Sequence, residues 1–196
     1  SRATKEATIE VSIDLDGSGV TDISTGVPFY DHMLDQIGRH GGFDLSVKAD
    51  GDVHVDAHHT VEDTAIVLGE AFGAALGDKA GVRRFASGLY PLDEALIEVA
   101  LDLSGRPYFV WNVEMPEAIP LGTPPFDPAL AEHVFQSFAT SAGITLHVSL
   151  KDGRNVHHII IRDFMLLMAL ADALNVLRVH GADSFHKKLL RIQVCR

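Results

Sequence analysis

The sequence predicts an α+β protein made of two duplicated ββαββα halves, with sheets packed on helices and the halves related by a pseudo-twofold axis. Three observations carry this. Alternating apolar runs are broken by Gly and Asp turns, amphipathic segments of helical spacing lie between them, and histidines recur in register.

In the first half, alternation over Ala7–Leu15, the turn Asp16-Gly17-Ser18-Gly19 and a second run over Val20–Ser24 read as a β-hairpin. Phe29, Met33, Leu34 and Ile37 mark a helix over Pro28–His40, closed by Gly41-Gly42. Strand Phe43–Ala49, turn Asp50-Gly51-Asp52 and strand Val53–Ala57 follow, then an amphipathic helix over Thr60–Leu76 that stops at Gly77. The second half reads as a repetition. Its strands lie around Arg83–Leu89, Glu94–Leu101 and Tyr108–Val113, and a Pro/Gly-rich loop occupies Pro116–Pro125. Helix Pro128–Thr140, strand Ile144–Leu150, turn Lys151-Asp152-Gly153-Arg154 and helix Ile159–Leu177 complete it. The expected organisation is one domain over 1–196, with repeats at about 4–78 and 81–178 and a divergent tail at 179–196.

With 196 residues the chain is long enough for one substantial core. A net charge of −11 lacks the basic footprint of a nucleic-acid binder, though a local basic pocket could hold a phosphate. No apolar stretch is long enough to span a bilayer, and the N-terminal residues move directly into strand pattern, so a cytoplasmic protein is expected. The lone Cys195 cannot form an internal disulfide and receives no role.

Eleven histidines stand out, because imidazole is the commonest transition-metal ligand. His32 lies 26 residues before His58, and His133 lies 24 before His157. Each half therefore offers a helix histidine followed by a His-His pair opening the next helix. Adjacent helical residues point about 100° apart, so His58 and His59 should serve different ions, as should His157 and His158. Residues four apart differ by about 40°, which makes His58 and Glu62 an i, i+4 chelate. One metal would take His58, Glu62, His133 and His158; the other would take His32, His59, His157 and position 161. Such donors suit Mn, Zn, Fe or Co. A generic binuclear metallohydrolase would lean on bridging aspartates, and few stand near these histidines.

These motifs sit in a chain that resembles imidazoleglycerol-phosphate dehydratase of histidine biosynthesis. The resemblance rests on Thr4-Lys5-Glu6, Pro28-Phe29-Tyr30-Asp31-His32-Met33-Leu34, Arg39-His40-Gly41-Gly42-Phe43-Asp44-Leu45, His58-His59-Thr60-Val61-Glu62-Asp63-Thr64, Gly81-Val82-Arg83-Arg84-Phe85, Pro91-Leu92-Asp93-Glu94, Asp102-Leu103-Ser104-Gly105-Arg106-Pro107 and His157-His158-Ile159-Ile160. It implies a lyase that dehydrates D-erythro-imidazole-glycerol phosphate to imidazole-acetol phosphate, with two Mn2+ ions bound by the histidine clusters. It further implies Glu6 as the proton-transfer group and Arg84 and Arg106 as phosphate ligands. Gln36 and His40 would line the substrate, with Asp93 and Glu94 as weaker candidates. Family members assemble as 24-subunit shells with sites between subunits, so a homo-oligomer is expected.

The chain departs from the family at its C-terminal end. The second His-His pair should be followed by Glu and then a phosphate-binding Lys, but Ile161 and Met165 stand there, and the tail has no Ser-Lys-Gly segment. Two readings follow: an active dehydratase with one weakened metal site, or a catalytically impaired relative that keeps metal-dependent assembly.

Overall fold

The computed structural model describes residues 1–4, 7–116 and 119–164. Its elements are β1 (Arg2–Ala3), β2 (Ala7–Asp14), β3 (Thr21–Ser24), α1 (Pro28–Gly41), β4 (Asp44–Gly51), α2 (His58–Leu76), β5 (Phe85–Leu92), β6 (Ala95–Asp102), β7 (Tyr108–Asn112), α3 (Leu130–Ala142), β8 (Thr145–Asp152) and α4 (Val156–Phe164). The α+β class and the duplication stand, but each half runs βββαβα rather than ββαββα. The two sheets have matching orders, β1-β2-β4-β3 and β5-β6-β8-β7.

Two expectations in the first half are corrected. β2 and β3 do not form a hairpin, because β4 lies between them, antiparallel to β2 and parallel to β3. The Asp-Gly turn is instead a crossover over the start of β4. A methyl group on Gly17 would sit 2.1 Å from the Asp44 nitrogen, and the Asp44 carboxylate accepts the backbone N–H groups of Ser18 (2.7 Å) and Val20 (3.0 Å). The expected strand Val53–Ala57 is a turn closed by the Val55 N–H on the Asp52 carbonyl at 2.7 Å. Val55 is exposed and has no core to face, so its apolar character carries no strand signal.

Alternation does set the strand faces. Ala7, Ile9, Val11 and Ile13 of β2 point inward, as do Ala95, Ile97, Val99 and Leu101 of β6. Helix α1 begins at Pro28, where the missing N–H costs nothing, and ends at Gly42 in the left-handed region at φ 70°. Asp31 ties its first turn to the preceding loop by accepting the Thr25 N–H at 2.8 Å and hydroxyl at 2.6 Å. One continuous apolar cluster draws on both sheets and on all four helices. Its aromatic rings interlock: Phe72 meets Phe138 at 5.6 Å, and Phe135 meets Phe164 at 4.9 Å.

The halves are joined chiefly where α2 packs on α3. A methyl group at Gly69 would lie 2.6 Å from the Phe138 carbonyl oxygen and 2.8 Å from Ser141 Cβ; one at Gly73 would lie 3.2 Å from the Ala142 carbonyl oxygen. Only glycine permits this approach. Among the described residues, no helix is long and apolar enough to cross a membrane. Near the end of α4, Asp163 is fully buried, and neither carboxylate oxygen has a hydrogen-bond partner among the described residues.

Two outcomes follow from this packing. Gly69→Ala should cost about 1–3 kcal/mol in equilibrium denaturation, because α3 must move back from α2. Burial pushes the Asp163 carboxyl well above the usual range, so the folded chain holds that proton more tightly than the unfolded one. Its contribution to stability is therefore fully present below the unfolded value of about 3.9 and lost as pH rises through the folded value. Asp163→Asn should flatten that part of the stability curve, measured by denaturant unfolding from pH 4 upward; an unchanged slope would show that Asp163 does not titrate there.

Candidate metal centre and substrate site

Both His-His pairs sit in the first turn of a helix, and in each a side chain two residues earlier takes the N–H of the first histidine. The Asp56 carboxylate accepts the His58 N–H at 3.0 Å, and the Asn155 side-chain oxygen accepts the His157 N–H at 2.9 Å. These short-range bonds satisfy backbone donors that a helix start leaves open. Within each pair the rings diverge, as adjacent helical positions must. The centroids of His58 and His59 are 6.2 Å apart and those of His157 and His158 are 6.0 Å apart, with interplanar angles of 69° and 61°.

The structure gathers two groups. His58 lies with Glu62 (Nε2 to Oε2, 3.9 Å) and with His133 of α3, at a centroid distance of 5.1 Å. His157 lies near His32 and against Phe29, whose ring is 5.7 Å away. Burial holds the His157 imidazole below its usual range, and His158 and His32 lower it further. A neutral ring is the form a metal requires.

The other two histidines point elsewhere. His59 Nδ1 is 3.5 Å from the Asp52 carboxylate. His158 Nδ1 is 2.9 Å from Glu94 Oε2, and its Nε2 is 3.9 Å from Asp93 Oδ2. Among the described residues of one chain, no three His, Cys, Asp or Glu side chains converge to hold a metal. The two four-ligand sets expected from spacing are thus not closed among the described residues of one chain, where His59 faces Asp52 and His158 faces Glu94 and Asp93.

Ile161, one helical turn after His157, is half-buried and packs against the core, whereas Glu62 holds the matching place after His58. Gln36 and His40 follow His32 at four-residue intervals along α1, and the Gln36 side-chain oxygen is 2.9 Å from His40 Nε2. Glu6, Met165 and the C-terminal tail lie outside the described residues.

Arg84 and Arg106 come together at the opposite end of the second sheet. Arg84 donates two hydrogen bonds to Asp102, at 2.7 and 3.0 Å, and Arg106 approaches the same carboxylate at 3.6 Å. Arg84 principally holds the Asp102 carboxyl below the usual range. Its guanidinium also lies over the Phe85 ring at 4.7 Å. Asp102 ends β6 and Glu94 precedes it, so this pair stands roughly 26 Å along the strand from His158, at about 3.3 Å per residue. One chain does not bring Arg84 and Arg106 to its His158.

Sequence reasoning missed Asp52 as a partner of His59, since it read as a turn residue, and ranked Glu94 low. A signal for Glu94 was present: it falls between the first two strands of its half, as Glu6 does in the other, with Ile9 and Ile97 in equivalent registers.

Comparison with known proteins shows the family of the chain. A family model, imidazoleglycerol-phosphate dehydratase, matches residues 25–174. The chain is 53% identical over 186 residues to the imidazoleglycerol-phosphate dehydratase of a Parafrankia species, covering 93% of each chain. It is 55% identical over 185 residues to that of Acidothermus cellulolyticus, covering 93% of this chain and 88% of the relative. Among solved structures, the Staphylococcus aureus imidazoleglycerol-phosphate dehydratase superposes with a TM-score of 0.76 at 36% identity, covering 84% of this chain and 92% of that one. The Pyrococcus furiosus structure gives a TM-score of 0.74 at 32% identity, with 88% and 91% covered.

Proposed function

The chain belongs to the imidazoleglycerol-phosphate dehydratase family, and from that membership we propose that it is a hydro-lyase converting D-erythro-imidazole-glycerol phosphate to imidazole-acetol phosphate with two Mn2+ ions. The observation that carries the reading is the pair of helix starts, which present His58 with Glu62 and His133 on one side and His157 with His32 on the other.

The donor set fits such ions: nitrogen-rich, with one carboxylate in i, i+4 relation and one imidazole biased to its neutral form. His32, His58, His59, Glu62, His133, His157 and His158 would hold them. Because neither group is complete among the described residues of one chain, ligands from a second copy would close each set, which makes the active form a homo-oligomer. When bound, the metals supply positive charge that stabilises negative charge developing on the substrate imidazole. Glu6 would exchange the proton at the glycerol chain as general acid or base. Arg84 and Arg106 would receive the dianionic phosphate, and Asp102 keeps their guanidinium groups side by side between substrates. Gln36 and His40 would line the imidazole end. The cytoplasm is the compartment this reading expects.

A second reading, a catalytically impaired relative that keeps metal-dependent assembly, is favoured by one observation. Ile161 puts an apolar side chain on the core where the other half has Glu62.

A coupled assay for the acetol phosphate should show turnover that needs added Mn(II) and stops on chelation; no Mn-dependent turnover would sink the enzyme reading. Mn(II) titration of the wild-type chain should resolve one tighter and one weaker ion. Ile161→Glu should tighten the weaker one by about tenfold or more, because a carboxylate ligand is added. Two equally tight ions in the wild type would show that Ile161 costs the centre nothing.

A further inference from the structure

The second histidine of each pair shares a feature that spacing does not explain. His158 Nδ1 is 2.9 Å from Glu94 Oε2, and His59 Nδ1 is 3.5 Å from Asp52 Oδ2. An ionised carboxylate only accepts hydrogen bonds, so the facing Nδ1 must carry the proton and Nε2 is left with its lone pair. The hydrogen bond thereby sets the His158 tautomer, and His59 turns the same nitrogen toward its carboxylate at a longer distance. The carboxylates come from different places, Asp52 just after β4 and Glu94 between β5 and β6, so the repeat did not simply copy one contact.

Glu94 is the more firmly held of the two. Its Oε1 accepts the N–H groups of Asn155 at 2.8 Å and Arg154 at 3.4 Å, while Oε2 meets His158. The turn that presents it is tight: Leu92 pairs with Ala95, and Asp93 takes the left-handed conformation at φ 47°. One carboxylate therefore joins the β5–β6 turn, the start of α4 and the His158 ring.

We infer that Glu94 is a positioning residue that fixes the tautomer and direction of His158 so that Nε2 faces a metal, and that Asp52 does the same, less tightly, for His59. The inference rests on the metal reading above and extends it from the ligands to the groups that aim them. Carboxylates behind metal-bound histidines raise ligand basicity and restrict the ring, and their loss typically weakens metal binding by about 10–100-fold.

The test is a double-mutant cycle on the full chain, with free Mn(II) followed by electron paramagnetic resonance. Glu94→Ala should weaken one of the two ions by about 10–100-fold. Glu94→Gln, whose side-chain oxygen still accepts the Nδ1 proton, should recover part of that loss, and it replaces the alanine variant in the cycle should that variant not fold. In a His158→Ala background the Glu94 change should alter affinity by no more than about twofold, since its target is gone. Equal losses in both backgrounds would show that Glu94 acts only by holding the start of α4, and would overturn the inference, as would an unchanged affinity in Glu94→Ala. A wild-type chain that binds no Mn(II) would overturn the metal reading as well, whereas normal binding with an inert Glu94 would overturn this inference alone.

Discussion

The close approach of α2 to α3 is the constraint on which the rest depends. Each half carries a sheet with one apolar face and two helices, and neither closes a core alone. Gly69 and Gly73 remove the side chains that would separate the two helices, so the Phe138–Ala142 backbone rests directly on α2. The same contact aligns the helix starts and sets His58 of one half beside His133 of the other. Core packing and the assembly of ligands are thus one event. A residue with no chemistry of its own decides whether two histidines 75 positions apart can share a site.

Duplication supplied the frame, and local substitution made its halves unequal. At the helix starts, short side-chain bonds hold the first histidine of each His-His pair, yet Glu62 follows one and Ile161 the other. At the far ends of the sheets the divergence is in charge. Asp14 and Asp44 flank a cleft at the end of the first sheet, together with Asp22. At the end of the second sheet, Asp102 is overlaid by Arg84 and Arg106. One carboxylate cannot offset two guanidinium groups, so that end keeps a surplus positive charge suited to a dianion. His158 and the Arg84–Arg106 pair are separated by the length of a strand within each chain, which is why an assembly of copies belongs to the functional reading.

Much of the site was legible in the residues. The recurrence of His32 and His133 ahead of the two His-His pairs, and the four-residue step from His58 to Glu62, are short-range patterns that helical geometry converts directly into direction. Asp52 and Glu94 were not legible in that way. Glu94 reaches His158 across 64 positions, and no local period carries such a contact. The hairpin expected for Ala7–Ser24 failed for a related reason: Gly17 signals a close backbone approach but does not say to which strand.

The sequence by itself determined the α+β class, the duplication, the inward faces of the strands, the divergence of the paired histidines and the loss of a carboxylate at Ile161, because each follows from periodicity or composition over a few residues. Only the tertiary structure decided the strand order, with β4 inserted between β2 and β3, the meeting of His58 with His133, the pairing of His158 with Glu94, and the distance of Arg84 from the histidines. Those depend on which elements pack together, and that is settled by burial and close approach over the whole chain.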